Sequence, residues 1–149
     1  MIKKIMTLTI FSLLFIITVN AQGKRPSISK EEFREKQQQY LMNKADLTKD
    51  EAARFFPVYF EMQDRKAEIN NKAWRSARKG KDPNTSDEEY EAIIDELANA
   101  KLNSDQLEIS YIPKFKNIIS PRKLYKIQVA ETKFHREMLK IMHQPPRNK

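Results

Sequence analysis

Glu131, His135, Met138, Met142 and His143 crowd the end of the chain, and theirs are the residue types that could hold a metal. Glu131 and His135 stand four apart and His135 and Met138 three apart, so on a helix each pair shares a face. A carboxylate, an imidazole and a thioether together suit a borderline or soft ion such as zinc, copper or nickel. Met138 also continues an apolar series with Phe134 and Ile141, and core packing explains it more simply. His135 and His143 lie two turns apart and need not meet. His135, Met138 and Glu131 are therefore the metal candidates of an alternative reading.

A second group carries charge rather than ligands. Lys72, Arg75, Arg78, Lys79 and Lys81 form a run without an acid, and Trp74 sits inside it. Arg75, Arg78 and Lys79 fall within about one helical turn and could form one exposed patch. Such a patch would attract acidic, partly unfolded chains at long range and then hold apolar segments. It would also suit an anionic lipid surface, so peripheral membrane contact stays open. A solvated helix face is the plain alternative. A further basic group, Lys114, Lys116, Arg122, Lys123 and Lys126, lies nearer the C-terminus, and the acidic stretch Asp87 to Glu108 offsets both.

Covalent chemistry has no foothold. The chain has no cysteine and two histidines, and it lacks both a Gly-x-Ser-x-Gly elbow and a glycine-rich phosphate loop. Carboxylates such as Asp87-Glu88-Glu89 open a helix, where they meet the positive end of its dipole. A binding protein that is not an enzyme and needs no cofactor is expected.

The elements that must position these residues are helices. Glycine occurs twice, at Gly23 and Gly80, and no segment alternates apolar and polar residues over the length of a strand. An all-α fold of four helices follows. Ser29-Lys30-Glu31-Glu32, Thr48-Lys49-Asp50-Glu51 and Ser86-Asp87-Glu88-Glu89 read as helix-opening boxes, and Ser120-Pro121 as a cap with proline in the first turn. The second helix carries Phe55, Phe56, Tyr59, Phe60, Met62, Ala67, Ile69, Ala73 and Trp74 as a broad apolar face. Pro57 inside it, and Pro113 inside the third helix, should kink these two long helices. The third helix keeps a seam of Tyr90, Ile93, Ile94, Leu97, Leu107, Tyr111, Phe115 and Ile118, broken by a polar gap at Lys101 to Asp105. The fourth repeats Leu124, Ile127, Phe134, Met138 and Ile141. These faces are wide enough to demand packing on one another or on a second copy, so a homodimer is expected.

Residues 1–21 read as a cleaved secretory leader: Lys3 and Lys4, an apolar run from Ile5 to Val19, and small residues at Val19 and Ala21. Its removal takes two lysines from a net charge of +8 and leaves +6. A periplasmic location is expected, which makes nucleic acid a poor partner. Residues 22–28 follow as a flexible segment, 29–143 as a single helical domain and 144–149 as a disordered tail.

Two helix starts share a pattern. Leu47-Thr48-Lys49-Asp50-Glu51 and Ile119-Ser120-Pro121-Arg122-Lys123 each set an aliphatic residue, a hydroxyl cap, two spacers and a long polar side chain. This resembles the doubled LTxxQ signature of the Spy/CpxP family of periplasmic stress proteins, in the variant associated with Bacteroidetes. Phe56-Pro57-Val58-Tyr59 and Tyr125-Lys126-Ile127-Gln128, with Glu131 and Phe134, are similar to that variant's sequel. Glu51 and Lys123 stand where the family writes glutamine. The resemblance spans roughly residues 40 to 142. It implies a helical cradle that dimerises through its long helices and holds unfolded or partly folded envelope proteins without ATP. The family also includes zinc-resistance proteins and metal sensors, which matches the alternative of a metal-responsive regulator. The residues expected to meet clients are Arg75, Arg78, Lys79 and Trp74, and after them Phe56, Tyr59 and Met62 if these are not fully buried.

Overall fold

Each expected helix start is present in the computed structural model, which describes residues 28–143, with side chains through residue 140. The leader and the tail lie outside the described residues. Ser29 caps α1 (Lys30–Ala45), its hydroxyl accepting the Glu32 amide at 3.0 Å. Thr48 and Glu51 form a reciprocal box at the start of α2 (Lys49–Ala77): Glu51 N–H donates to the Thr48 hydroxyl at 3.2 Å, and Thr48 N–H to the Glu51 carboxylate at 2.8 Å. Ser86 and Glu89 repeat the device for α3 (Asp87–Lys116) at 3.3 and 2.9 Å. Ser120 accepts the Lys123 amide at 3.3 Å and opens α4 (Pro121–His143). These bonds satisfy amides that the first turn of a helix leaves without partners. No strand occurs among the described residues, and the fold is all-α with four helices.

Both long helices run on through their prolines. Pro57 and Ala53 are exposed, so water can reach the carbonyl that the missing amide leaves free. The link from α1 to α2 is short because Asp46 adopts a left-handed conformation (φ 52°, ψ 45°), which an aspartate tolerates better than most residues. Its amide donates to the Met42 carbonyl and closes the helix end.

Side-chain contacts fix the directions. Tyr111 meets Glu61 and Arg65, and Lys66 pairs with Glu108, so α3 returns antiparallel to α2. Phe33 packs edge-on against Phe134 with ring centres 5.4 Å apart, and Lys126 reaches Asp46 at 2.5 Å, so α4 runs antiparallel to α1. Between these two pairs lies the core. Phe55 stacks with Tyr59 and meets Phe56 and Phe115, with Leu41, Ile119, Leu124 and Ile127 sealed around them.

The α2–α3 hairpin extends past the point that α1 reaches, because Lys30 at the start of α1 already pairs with Asp64. At its far end Arg78–Lys81 form one 3-10 turn. Tyr90 lies across it, its hydroxyl donating to the Gly80 carbonyl at 3.1 Å. A Cβ on Gly80 would stand 3.1 Å from that ring, so a larger residue here would oblige the Tyr90 ring to shift by a few tenths of an ångström. Along this arm Ala73, Ala100 and Ser104 are buried. The pairings Lys66–Glu108 and Gly80–Tyr90 bring Ala73 level with Ala100. Two helices can seal a contact alone only if small side chains let their backbones close up. Within the polar gap expected near Lys101 to Asp105, Ser104 turns inwards to this contact, while Lys101, Leu102, Asn103 and Asp105 stay exposed.

The repeated helix starts meet in space. Lys123 Nζ donates to the Glu51 carboxylate at 2.6 Å, joining the positions where the resembled family carries its two glutamines. That hydrogen bond, followed by the Thr48 amide, holds the Glu51 carboxyl below the usual glutamate range. Lys123→Glu is expected to lower the thermal midpoint by setting two carboxylates against each other. Adding Glu51→Lys should restore the attraction but not the capping box, giving partial recovery. Thermal unfolding followed by circular dichroism checks the series, and identical midpoints would remove the pair from the stabilising contacts.

Candidate functional site

The end of α2 is where an exposed aromatic and uncompensated cations coincide. Trp74 is 62% exposed, and Arg75, Arg78 and Lys79 are exposed beside it. Trp74 and Arg78 are four apart, as are Arg75 and Lys79, so the group spans about one turn of surface. Among the described residues none of these three cations, nor Lys72 or Lys81, takes part in an ion pair. Their position at the C-terminal end of a helix suits its dipole, which accounts for their local stability there. It leaves their outward charge unspent.

Phe56, Tyr59 and Met62 are 3%, 2% and 3% exposed, so they are core and not contact residues. They lie on the part of α2 that α3 and the α1–α4 pair enclose. Trp74 escapes because the enclosure has ended by its position. On α2 it falls close in angle to Phe56 and Phe60, at about 100° per residue. At the base α1 covers this side, with the Arg34 guanidinium 4.9 Å from the Phe60 ring centre. In the arm the same side is open.

A neighbouring apolar line was not legible in the seam expected for α3. Ile94, counted in that seam, is 63% exposed, and Leu102 and Ile109 are 54% and 63% exposed. The buried residues of α3 are Ala100, Ser104, Tyr111 and Phe115, a series well away in angle from Ile94 and Leu102. An apolar count over both faces would have revealed two stripes on one helix.

The second basic group is largely used by the fold. Lys123 and Lys126 serve Glu51 and Asp46, and Lys114 lies 4.1 Å from the Tyr111 ring centre. The metal candidates are used similarly. Met138 is 8% exposed and packed. Glu131 accepts hydrogen bonds from the Tyr59 hydroxyl and Gln63 Nε2, both at 2.7 Å. His135 stands 3.7 Å from it, too far for a hydrogen bond but near enough to act through charge when protonated. No group of three His, Cys, Asp or Glu side chains converges on one point among the described residues. Met142 and His143 have side chains outside them.

This polar cluster ties three helices together. Gln37 of α1 donates to the Tyr59 hydroxyl at 3.0 Å, which in turn donates to Glu131 of α4. Burial drives the Tyr59 hydroxyl far above its usual value, so it remains a donor. Burial also pushes the Glu131 carboxyl up, but His135, Tyr59 and the Lys66 charge outweigh it and leave the group below its ordinary 4.5. A depressed folded value means stability that is present above pH 4.5 and is lost as pH falls through the folded value. Glu131→Gln keeps an acceptor for Tyr59 and is expected to flatten that acid loss. Urea unfolding at neutral and acid pH measures it, and parallel curves for the two proteins would count against the assignment.

No family model, no curated protein and no solved structure matches this chain.

Proposed function

We propose that the chain is an exported, ATP-independent binding protein of chaperone type, which captures unfolded or exposed polypeptide segments in the periplasm. The observation that carries this reading is the surface at the end of α2: an exposed Trp74 among three cations that no carboxylate in the described structure neutralises. Long-range attraction from Arg75, Arg78 and Lys79 raises the encounter rate with acidic, unfolded chains. The indole then supplies a rigid, amphipathic contact of large area, the kind that dominates binding energy at protein surfaces. The arm stands on a packed base, so the surface is held out without being part of the core.

The leader-like residues 1–21 and the doubled helix-start pattern support the same reading. Both features resemble the Spy/CpxP type of envelope-stress protein and so favour the same kind of capture. Binding of this kind needs no nucleotide, cofactor or covalent step. A client denatured by heat or by reduction, mixed with equimolar protein at low ionic strength, should aggregate more slowly, as followed by light scattering without ATP. Unchanged aggregation across several clients would overturn the reading.

A further inference from the structure

We propose that the outer face of α4 is a docking surface for an anionic phospholipid membrane, against which the helix lies flat at headgroup level. Arg122, Tyr125, Val129, Lys133, Arg136 and Lys140 fall within about 80° of one another at 100° per residue. All six are exposed, Tyr125 by 67%. The buried residues Ile127, Ala130, Phe134 and Met138 occupy the opposite side, so the packing of α4 on the fold fixes this stripe outward.

Charge selects the partner. Among the described residues none of the four cations takes part in an ion pair. The two acids of α4 lie off the stripe: Glu131 accepts from Tyr59 and Gln63, and Glu137 is turned to the Tyr40 hydroxyl of α1. The sequence beyond α4 adds Arg147 and Lys149 and no acid. The cations of the arm, by contrast, share their end of the hairpin with Asp82, Asp87, Glu88 and Glu89, which offset them before a charged plane. Shape narrows the choice further. From Arg122 to Lys140 the stripe runs about 27 Å along the helix axis. It is a convex surface, and the small cavity beside Glu131 lies on the inner side of α4 with Leu124 and Ile127. A flexible acidic chain would have to be ordered along the helix to meet all four cations, at an entropic cost. A leaflet presents its phosphates as a plane and meets them at once. Each basic residue held against an anionic leaflet strengthens binding about fivefold. Tyr125 adds an amphipathic ring of the kind that settles at headgroup level. With only Val129 as an aliphatic neighbour on the stripe, the contact is shallow and reversible.

This surface lies on α4, and the residues proposed to meet clients lie on α2, so either reading can fail alone. The chain is tested in its exported form, without residues 1–21, whose apolar run would enter a bilayer by itself. The parent should co-sediment at low ionic strength with vesicles of equal parts phosphatidylglycerol and phosphatidylcholine, and high salt should release it. With vesicles of phosphatidylcholine alone it should stay in solution. Lys133→Glu combined with Arg136→Glu should weaken binding about a hundredfold, with helical circular dichroism unchanged. Lys133→Arg combined with Arg136→Lys should bind as the parent does. Arg75→Glu with Arg78→Glu changes the net charge equally and should weaken binding only a few-fold. A parent that ignores the mixed vesicles, equal binding to the zwitterionic ones, or a double Glu variant of α4 that binds as before would each overturn the proposal. A larger loss from the arm variant would overturn it in favour of the arm. Tighter binding of polyglutamate than of the mixed vesicles would overturn it in favour of an acidic polypeptide.

Discussion

Phe55→Ala is expected to cost about 3–5 kcal/mol of stability, the range for truncating a buried aromatic ring. Phe55 is fully buried and touches rings of two helices: Phe56 and Tyr59 on its own helix and Phe115 on α3. A buried site of this kind relaxes only partly around a truncated ring. Tyr59, for example, is anchored by Gln37 and Glu131. A lasting cavity adds its own term to the lost transfer energy. In a domain of this size the thermal midpoint should fall on the order of 10–20 °C. Circular dichroism during heating or urea unfolding measures it, and a cost under about 1 kcal/mol would mean that Phe55 is not a centre of the core.

Trp74→Ser combined with Arg75→Glu and Arg78→Glu should have the opposite signature. Stability should stay within about 0.5 kcal/mol per site, because all three side chains project into solvent and hold no partner that the fold needs. Client binding should fall steeply. Losing an aromatic anchor costs on the order of 2 kcal/mol, roughly thirty-fold in affinity. Reversing the two arginines should also slow association and remove its dependence on salt. Fluorescence anisotropy with a labelled unfolded client, at two ionic strengths, separates the terms. The single Trp74→Ser variant should raise the dissociation rate and leave the salt dependence alone. Equal affinities for the parent and the triple variant would remove this surface from capture, whatever the aggregation assay showed.

The two outcomes differ because the second helix changes surroundings halfway along its length. Phe56, Tyr59, Met62 and Trp74 read as one apolar face in the sequence, since helical spacing assigns a side chain only an angle about an axis. Whether something stands at that angle depends on where α1 and α4 lie, and α1 reaches no further than Asp64. Glu131 and Met138 show the same limit. Their spacing with His135 fits a ligand set, yet Tyr59 and Gln63, distant in sequence, claim the carboxylate. The polar gap in α3 hid one packed position for a related reason. Serine and alanine look like solvent residues in a composition count, but a two-helix contact favours small side chains, and Ser104 is buried there.

By itself the amino-acid order determined that this chain forms four helices and where each of them begins. Those starts rest on bonds between residues three apart, Ser29 with Glu32, Thr48 with Glu51, Ser86 with Glu89 and Ser120 with Lys123, so neighbours in the chain suffice to make them. It also placed the cations of the arm. Only the tertiary structure decided which aromatic rings are sealed, that Glu51 meets Lys123, and that Trp74 and the outer stripe of α3 remain open. Burial is a property of the space between helices. It is set by contacts across 34 to 80 positions of sequence, such as Lys30 with Asp64 and Lys126 with Asp46, which no local pattern encodes.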